Sequence, residues 1–521
     1  MGVREHTQST NLARRAASSA SSLVAGKIIS ALIQAAMFIV VARLLDPSGY
    51  GIYTILISIA AFVGAFGSLN IGVYLNERIP FFISRGRDKE MRIALGDSLI
   101  AMTAAGVGLF AVGSALSPVI AHYALPSASY YLIALAMSSI VFSFLFNMLN
   151  LVLVGLNDGK NTGIALILYS VSQAVFAIGL VYAGFGITGA VAGYIIGMLA
   201  ATAFELLIIM RGPGFEFAIR GMMGRVIRML RFSMPLTYSN ILLTLVSNFA
   251  VILLGLIVLP SYVGAYGVAS RIGTVIDVLA GSIAIVLVPM FSEAIHSKGL
   301  SSRLGRFFDY SVYFGLLFTA PMIAYVTVFA NYFITTLFTP AYAAAVPYMQ
   351  LTGIGLILGI FGTYATQLVI STGKTSKVFK YSAIVAIIET VSMLALAPIF
   401  HVFGVIIAIL YIGGMATNLL FMNYIRHLGI KTRMWRYVKV LCANLALGVL
   451  LFLFLQYFSA ANREIMVIAG IVISIAAYPP ILSLTRAASK EDALLLKKIG
   501  VGIPVVGAVV EMVVSYALYF F

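Results

Sequence analysis

The chain has 521 residues, 61% hydrophobic and only 10% charged, with a mean hydropathy of +1.06. These values lie far outside the range of soluble globular chains, so the composition excludes a soluble enzyme or binding module and points to a membrane protein. The net charge of +16 is explained by membrane topology and by attraction to anionic inner-leaflet lipid, and nucleic acid is not an expected partner.

From the N-terminus, the first twenty residues are polar and no cleavable signal peptide is evident, so residues 1–23 are expected to form a cytoplasmic tail. A hydrocarbon core about 30 Å thick is crossed by about 20 helical residues, and backbone amides in lipid must all be paired. Uninterrupted apolar stretches predict spans near 24–42, 52–72, 93–115, 130–155, 163–183, 186–208, 234–258, 263–290, 310–330, 348–370, 381–400, 402–424, 438–458 and 466–484. The expected fold is therefore all-α: a polytopic membrane protein with about fourteen transmembrane helices. After the basic stretch KEDALLLKKI, residues 500–521 are apolar enough for a fifteenth span. An amphipathic helix on the cytoplasmic surface fits the charge pattern better, and 486–521 is expected to be an interfacial tail.

Orientation follows from Lys and Arg, which stay on the cytoplasmic side in short loops. All but four of the 33 fall in the N-terminal tail or in the segments Arg78 to Arg92, Lys160, Arg211 to Arg231, Lys298 to Arg306, Lys374 to Lys380, Arg426 to Lys439 and Arg486 to Lys498. The intervening loops hold only Arg43 and Arg463, while Lys27 and Arg271 fall within spans. Both termini are thus expected in the cytoplasm of a multi-pass cell-membrane protein.

The chain also repeats itself. Pro-Ser-x-x-Gly-x-Tyr occurs as PSGYGIY from Pro47 and as PSYVGAY from Pro260, 213 positions apart. LNDGKNT, with Gly159 and Lys160, returns as ISTGKTS, with Gly373 and Lys374, at 214; Phe185 with Gly189 returns as Phe400 with Gly404, at 215. Collinear matches with a drifting offset point to a duplication, and an offset of six helices makes the repeat parallel. The expected organisation is an N-lobe at 24–215, a C-lobe at 216–430, and two further helices at 431–485. Substrate sites in transporters built from repeats lie near the midplane at the repeat interface. The repeated motif is expected at the external turns, where proline starts the turn, glycine permits tight geometry and tyrosine anchors at the interface.

Polar residues within spans are candidates for a site. Lys27, Ser30, Ala31 and Gln34 share one face of the first helix, and Asn240, Thr244 and Ser247 share one of the seventh; the two stripes correspond through the repeat. Both are expected to face the cleft and bind substrate, although Ser, Thr and Asn also join helices to one another. Arg271 lies about eight residues, roughly 12 Å, inside the eighth span, on a face with Thr274 and Ser282. Its guanidinium fork suits a phosphate or diphosphate, the alternative being a buried ion pair. Lys27 is a second cationic candidate unless it snorkels to the surface. Asp277 and Glu389 are near mid-span, where a carboxylate pairs with a cation or takes a proton, and they are candidates for coupling to H+ or Na+. Glu205, Asp97 and Asp309 lie near cytoplasmic ends, where solvation is the ordinary expectation.

Several segments resemble a known family: ARLLDPSGYGIYTI from Ala42, FSMPLTYSNILLTLVSN from Phe232, VGAYGVASRI from Val263, LVPMFSEAI from Leu287 and LFTPAYAAAVPYMQL from Leu337. They are similar to polysaccharide-transport flippases of the multidrug/oligosaccharidyl-lipid/polysaccharide exporter superfamily, over roughly residues 20 to 490. The resemblance implies a fourteen-helix transporter that moves a lipid-linked oligosaccharide, carried on a polyprenyl phosphate or diphosphate, to the external leaflet. One position departs from the pattern: Asn248 stands after Pro235 where many relatives carry Asp, so an ion-coupling role is not carried over there. An ion-coupled multidrug exporter and a peptidoglycan-precursor flippase of the same superfamily remain the alternatives.

Other chemistry finds no support. GKT at Gly373 lacks the earlier glycine of a phosphate-binding loop, His6, His122, His296, His401 and His427 have no metal spacing, and Cys442 stands alone. No nucleophile motif or paired carboxylate marks an enzyme. The expectation is a monomeric transporter without cofactor or metal, whose partners are its lipid-linked substrate and membrane lipid. Arg220→Cys, in the 211–231 loop, should resist an impermeant thiol reagent on intact cells and react after permeabilisation; efficient labelling from outside would reverse the topology.

Overall fold

The structure is a computed structural model that describes residues 2–67, 69–123, 125–274, 276, 300–372, 374–430, 432–458, 462–492, 494, 515, 516 and 520. Among these residues every regular element is helical. In chain order the helices are α1 (Gly2–Gly67), α2 (Ile71–Ser84), α3 (Asp88–Ala115), α4 (Ser117–Tyr123), α5 (Tyr130–Gly155), α6 (Gly159–Leu180), α7 (Gly186–Arg211) and α8 (Met222–Ile257). They continue with α9 (260–274), α10 (Leu300–Val328), α11 (Ala330–Leu337), α12 (Ala345–Ser371), α13 (Thr375–Ile406), α14 (Gly414–His427), α15 (Met434–Tyr457) and α16 (Arg463–Leu484).

Nine described segments are long and apolar enough to cross a membrane. Three of them, Ser21–Gly67 with 47 residues, Gly159–Arg211 with 53 and Ser376–His427 with 52, hold two spans each. The helical path breaks where the sequence places a boundary: at Asp46 (φ 58°), at Gly184 to Gly186, and at His401. The predicted span 263–290 lies within the described residues only as far as Thr274, with Ile276. Exposed apolar side chains such as Leu32, Val175, Leu445 and Ile468 are a liability in water and ordinary against lipid.

The second span differs from expectation. Helix resumes after a left-handed Asn70 (φ 43°, ψ 32°) and runs through α2 to Ser84. The apolar run falters at Asn76, Glu77 and Arg78, but α2 is amphipathic: Ile71, Leu75, Ile79 and Phe82 are buried, and α2 packs on α5.

Packing divides the chain into two compact units, Met1–Gly264 and Ala265–Phe521. In the first, α6 and α7 form a closely packed hairpin, α1 lies along α6, α5 packs on α3, α2 and α7, and α8 packs on α1. The motif that opens with Pro47 shows its purpose within this unit. Asp46 makes the turn, its Oδ1 accepting from the backbone N–H groups of Ser48 at 2.8 Å and Gly49 at 3.0 Å, and Pro47 begins the next helical stretch where a missing N–H costs nothing. The motif glycines are inside helices, and their role is close approach instead of turn geometry. A Cβ on Gly51 would collide with the Pro260 carbonyl, and one on Gly264 with the Pro47 carbonyl.

In the second unit α10 is the central helix, packed on α12 and α15, with Phe308, Tyr313, Tyr364, Phe421 and Val440 in the core. Residues 486–492 fold back onto it: Asp492 accepts from the Ser489 backbone N–H at 3.0 Å and from Arg436, whose guanidinium carbon lies 3.8 Å from the Tyr313 ring centroid. Tyr516 donates to the Ala476 carbonyl at 3.0 Å and Ser483 to that of Phe520 at 2.6 Å, placing these residues along α16.

The duplication extends to backbone angles. Gly186 (φ 52°, ψ −132°) and His401 (φ 52°, ψ −126°), 215 positions apart, open the sixth and twelfth predicted spans in the same conformation. That region suits glycine, and a side chain there is strained by about 1 to 3 kcal/mol. His401→Gly should therefore raise stability by about 1 kcal/mol, and Gly186→Ala should lower it, both read from thermal unfolding in detergent. An unchanged or lower melting temperature for His401→Gly would show that imidazole contacts outweigh the backbone.

Candidate functional site

Three carboxylates expected in solvent are buried instead: Asp97 is 1% exposed, Glu205 0% and Asp309 6%. Asp97, on α3, accepts from Arg225 Nε at 2.5 Å and Nη2 at 3.0 Å. Arg225 also donates to the Arg220 carbonyl at 2.9 Å and to that of Ala218, and its bond to Asp97 holds the guanidinium above its ordinary pKa. The fork thus fastens the 212–221 connection and the start of α8 to α3. Asp309, on α10, accepts from the Arg433 backbone N–H at 3.1 Å and from the Tyr437 hydroxyl at 2.6 Å, fastening the start of α15. Asp97 and Asp309 are 212 positions apart, as are Arg225 and Tyr437. The same clasp occurs twice, once as an ion pair and once with a neutral donor. Glu205, on α7, accepts from Asn150 Nδ2 at 3.0 Å, and its Oε2 has no partner among the described residues. Sequence reasoning missed all three because nearness to a span end implies solvation only when no neighbouring helix covers the position.

The predicted site residues do not form one cluster. Lys27 is exposed. Gln34 Nε2 donates to Ser30 and to Ser170 at 3.2 Å each, and the Ser30 and Ser170 hydroxyls are 2.5 Å apart, so this part of the first-helix stripe joins α1 to α6. Ser247 is exposed and its hydroxyl donates to the Thr244 carbonyl at 3.2 Å. Asn248, the position of the departure from the family pattern, donates to the same carbonyl at 2.7 Å. Arg271 is exposed on α9, close in sequence to Ser270 and Thr274, which line a cavity of ≈ 90 Å³ with Tyr266 and Thr352. Glu389 on α13 is half-buried; it lies so close to Gly413 that a Cβ there would collide with its carboxyl group, and no donor reaches it among the described residues. Asp277 and the side chain of Asn240 lie outside the described residues.

Thr244 does reach a cavity, of ≈ 220 Å³, within the first unit. Its other polar lining comes from Asn70, Ser139, Ser143, Asn147 and Tyr194. Ser139, Ser143 and Asn147 recur every four residues on α5 and so share one face. That spacing was a legible signal within the apolar span 130–155. The rest of the lining is apolar, with Ile57, Ala60, Phe144 and Met148 among it, so the cavity offers hydroxyl and amide groups without a formal charge, a lining suited to a neutral, hydrogen-bonding group.

The family model described as polysaccharide biosynthesis protein matches residues 16–295. The chain belongs to this family. The matched region covers the first unit from residue 16 onward and α9, including the larger cavity, the Asp97–Arg225 clasp and Arg271. No curated protein sequence matches the chain significantly. Among solved structures, the family member is similar to a lipid II flippase MurJ in an inward closed conformation, with a TM-score of 0.71 and 15% identity over 89% of this chain and 98% of the other. It is also similar to an inward-facing multidrug resistance MATE family transporter of the MOP superfamily (TM-score 0.62, 16% identity, 78% and 99% covered). A third likeness is to the Vibrio cholerae MATE transporter VcmN (TM-score 0.54, 17% identity, 81% and 98% covered). At these identities the likeness is one of fold, and that fold is a polytopic all-α membrane protein.

The clasp makes an asymmetric mutational prediction. Arg225→Ala leaves Asp97 buried and unpaired and should cost about 3 kcal/mol of stability. Asp97→Asn keeps hydrogen-bonding capacity toward the guanidinium and should cost about half as much. Equal losses in thermal unfolding would mean that leaving Asp97 without its guanidinium partner carries no penalty of its own.

Proposed function

We propose that this polysaccharide biosynthesis family member is a flippase. It moves a lipid-linked oligosaccharide, on a polyprenyl phosphate or diphosphate carrier, from the cytoplasmic to the external leaflet by alternating access, and so serves polysaccharide or glycoconjugate synthesis. The observation that carries this reading is the family match over residues 16–295, in a chain whose repeated six-helix pattern is that of transporters. The protein is a transporter and not an enzyme, acts as a monomer with both termini in the cytoplasm, and is organised as lobes 24–215 and 216–430 with the additional helices 431–485.

Crossing the bilayer is hardest for the charged part of such a substrate, because phosphate oxygens must shed water while the lipid tail stays in hydrocarbon. Arg271 supplies the counter-charge in this reading, with Lys27 as the second candidate, and Gln34, Asn240, Thr244 and Ser247 meet the sugar hydroxyls. Asp277 and Glu389 couple the cycle to H+ or Na+. The fold likeness to MATE transporters keeps a second reading, an ion-coupled multidrug exporter, and resistance profiles of expressing cells separate the two.

Losing one charge-assisted contact typically costs about 1.5 to 3 kcal/mol. Arg271→Ala should therefore slow flipping of a fluorescent lipid-linked oligosaccharide in proteoliposomes by about tenfold or more at unchanged protein level, and Arg271→Lys should recover only part. Normal flipping by Arg271→Ala would move the phosphate contact elsewhere, with Lys27 next to be tested.

A further inference from the structure

Phe81, near the end of α2, carries three guanidinium groups around one ring. The guanidinium carbons of Arg78, Arg85 and Arg87 lie 5.8, 5.5 and 5.9 Å from its centroid. Arg78 is also 5.9 Å from the Tyr74 ring and 5.4 Å from that of Phe232 on α8, which makes a T-shaped contact with Tyr74 at 5.5 Å. All of these residues belong to the first unit.

The positive charge gathered here is poorly neutralised. Arg87 meets Glu90 at 3.4 Å, but both side chains are about half exposed, where such a pair contributes little. Among the described residues neither Arg78 nor Arg85 has a carboxylate partner, and Arg78 Nε is sealed from solvent with no acceptor. Aromatic rings hold a guanidinium by its face, which leaves the N–H groups at its edge for a ligand. Three such groups brought to one ring repel each other until an anion joins them. The rings therefore set donors in place for an acceptor that the protein does not itself provide.

The surroundings indicate what kind of anion. Phe81 and Phe232, the rings on which these guanidiniums lie, are each 37% exposed, so the arginines are edged by bare apolar surface. Free phosphate or a soluble nucleotide gains nothing from that edge, whereas a phosphate on a hydrocarbon chain gains from both parts. Several guanidiniums also match the greater charge of a diphosphate better than the single charge of an ordinary anionic phospholipid.

We infer that Arg78, Arg85 and Arg87, mounted on Phe81, form a docking site for the diphosphate of a polyprenyl diphosphate lipid. The inference rests on the flippase reading. On the side that the charge pattern assigns to the cytoplasm, the site captures the carrier's headgroup before translocation. Arg271 belongs to the second unit and is not one of the site's residues. The Arg78–Phe232 contact joins α2 to α8, so the headgroup is held where the chain enters the seventh span.

The test uses the full-length protein in phosphatidylcholine nanodiscs, titrated with undecaprenyl diphosphate, with inorganic pyrophosphate as the tail-free probe and nanodiscs containing phosphatidylglycerol as the second lipid. The Arg78→Gln/Arg85→Gln double variant should bind undecaprenyl diphosphate at least tenfold more weakly, Arg78→Lys should lie between it and wild type, and Lys380→Gln, a charge change elsewhere, should have no effect. Pyrophosphate should bind more weakly than the prenyl diphosphate, and phosphatidylglycerol should be indifferent to the variants. Wild-type affinity in a double variant of normal melting temperature overturns the site, as does an equal loss for phosphatidylglycerol, which would make the cluster a general lipid contact. If the double variant does not fold, Arg85→Gln alone, at the exposed end of α2, should weaken binding about threefold, and no change there also overturns it. Flipping by wild type with binding untouched by the variants rejects the site and leaves the transport reading intact. Variant-sensitive binding by a wild-type protein that flips no glycolipid does the reverse.

Discussion

Hydrocarbon offers a polar group no partner, and this one constraint shapes the rest of the structure. Backbone amides find their partners within helices, so every regular element among the described residues is helical. The same constraint decides which side chains are tolerated within a span. Ser30, Gln34 and Ser170 satisfy one another between α1 and α6, and Asn418 and Tyr411 donate to backbone carbonyls of α12. Polar residues in spans here serve assembly, and identity alone does not mark any of them for a substrate.

Charges follow the same logic at higher cost. Asp97 and Asp309 are enclosed, and each accepts two hydrogen bonds from the start of a later helix, α8 and α15 respectively. The two clasps stand 212 positions apart in the chain, with the same carboxylate acceptor and with arginine as donor in one and tyrosine in the other. The two donors engage the carboxylate differently, Arg225 through both oxygens of Asp97 and Tyr437 through Oδ1 of Asp309 alone. Arg225 brings a charge and fastens the loop before it as well, whereas Tyr437 works with the Arg433 backbone N–H. Glu205 is enclosed with a single donor from Asn150, while Arg78, Arg85 and Arg87 gather around Phe81 without an adequate counter-charge.

The repeated motif near Pro47 shows how a sequence pattern can be read correctly and explained wrongly. Its recurrence marked the duplication, and the break between spans does fall at Asp46. Turn chemistry was the natural explanation for Pro, Ser and Gly together. The turn, however, belongs to Asp46, and the two glycines are kept bare because each lies on the proline carbonyl of the other copy. No pattern within one copy could reveal that, since the contact exists only when both copies are folded.

The sequence by itself determined the all-α membrane class, the approximate place of most described spans and a collinear sequence repeat, because hydropathy and offset are properties of the chain read along its length. It also marked Asp46, Gly184 and His401 as the neighbourhoods where helices break, since span length in a bilayer is fixed by thickness. Only the tertiary structure decided which polar residues meet. It placed Gln34 against α6, Thr244 in a cavity with Ser139, Ser143 and Asn147, Asp97 beneath Arg225, and three arginines on Phe81. Burial and pairing depend on which helices become neighbours, and a helix face carries no mark of the face that will cover it.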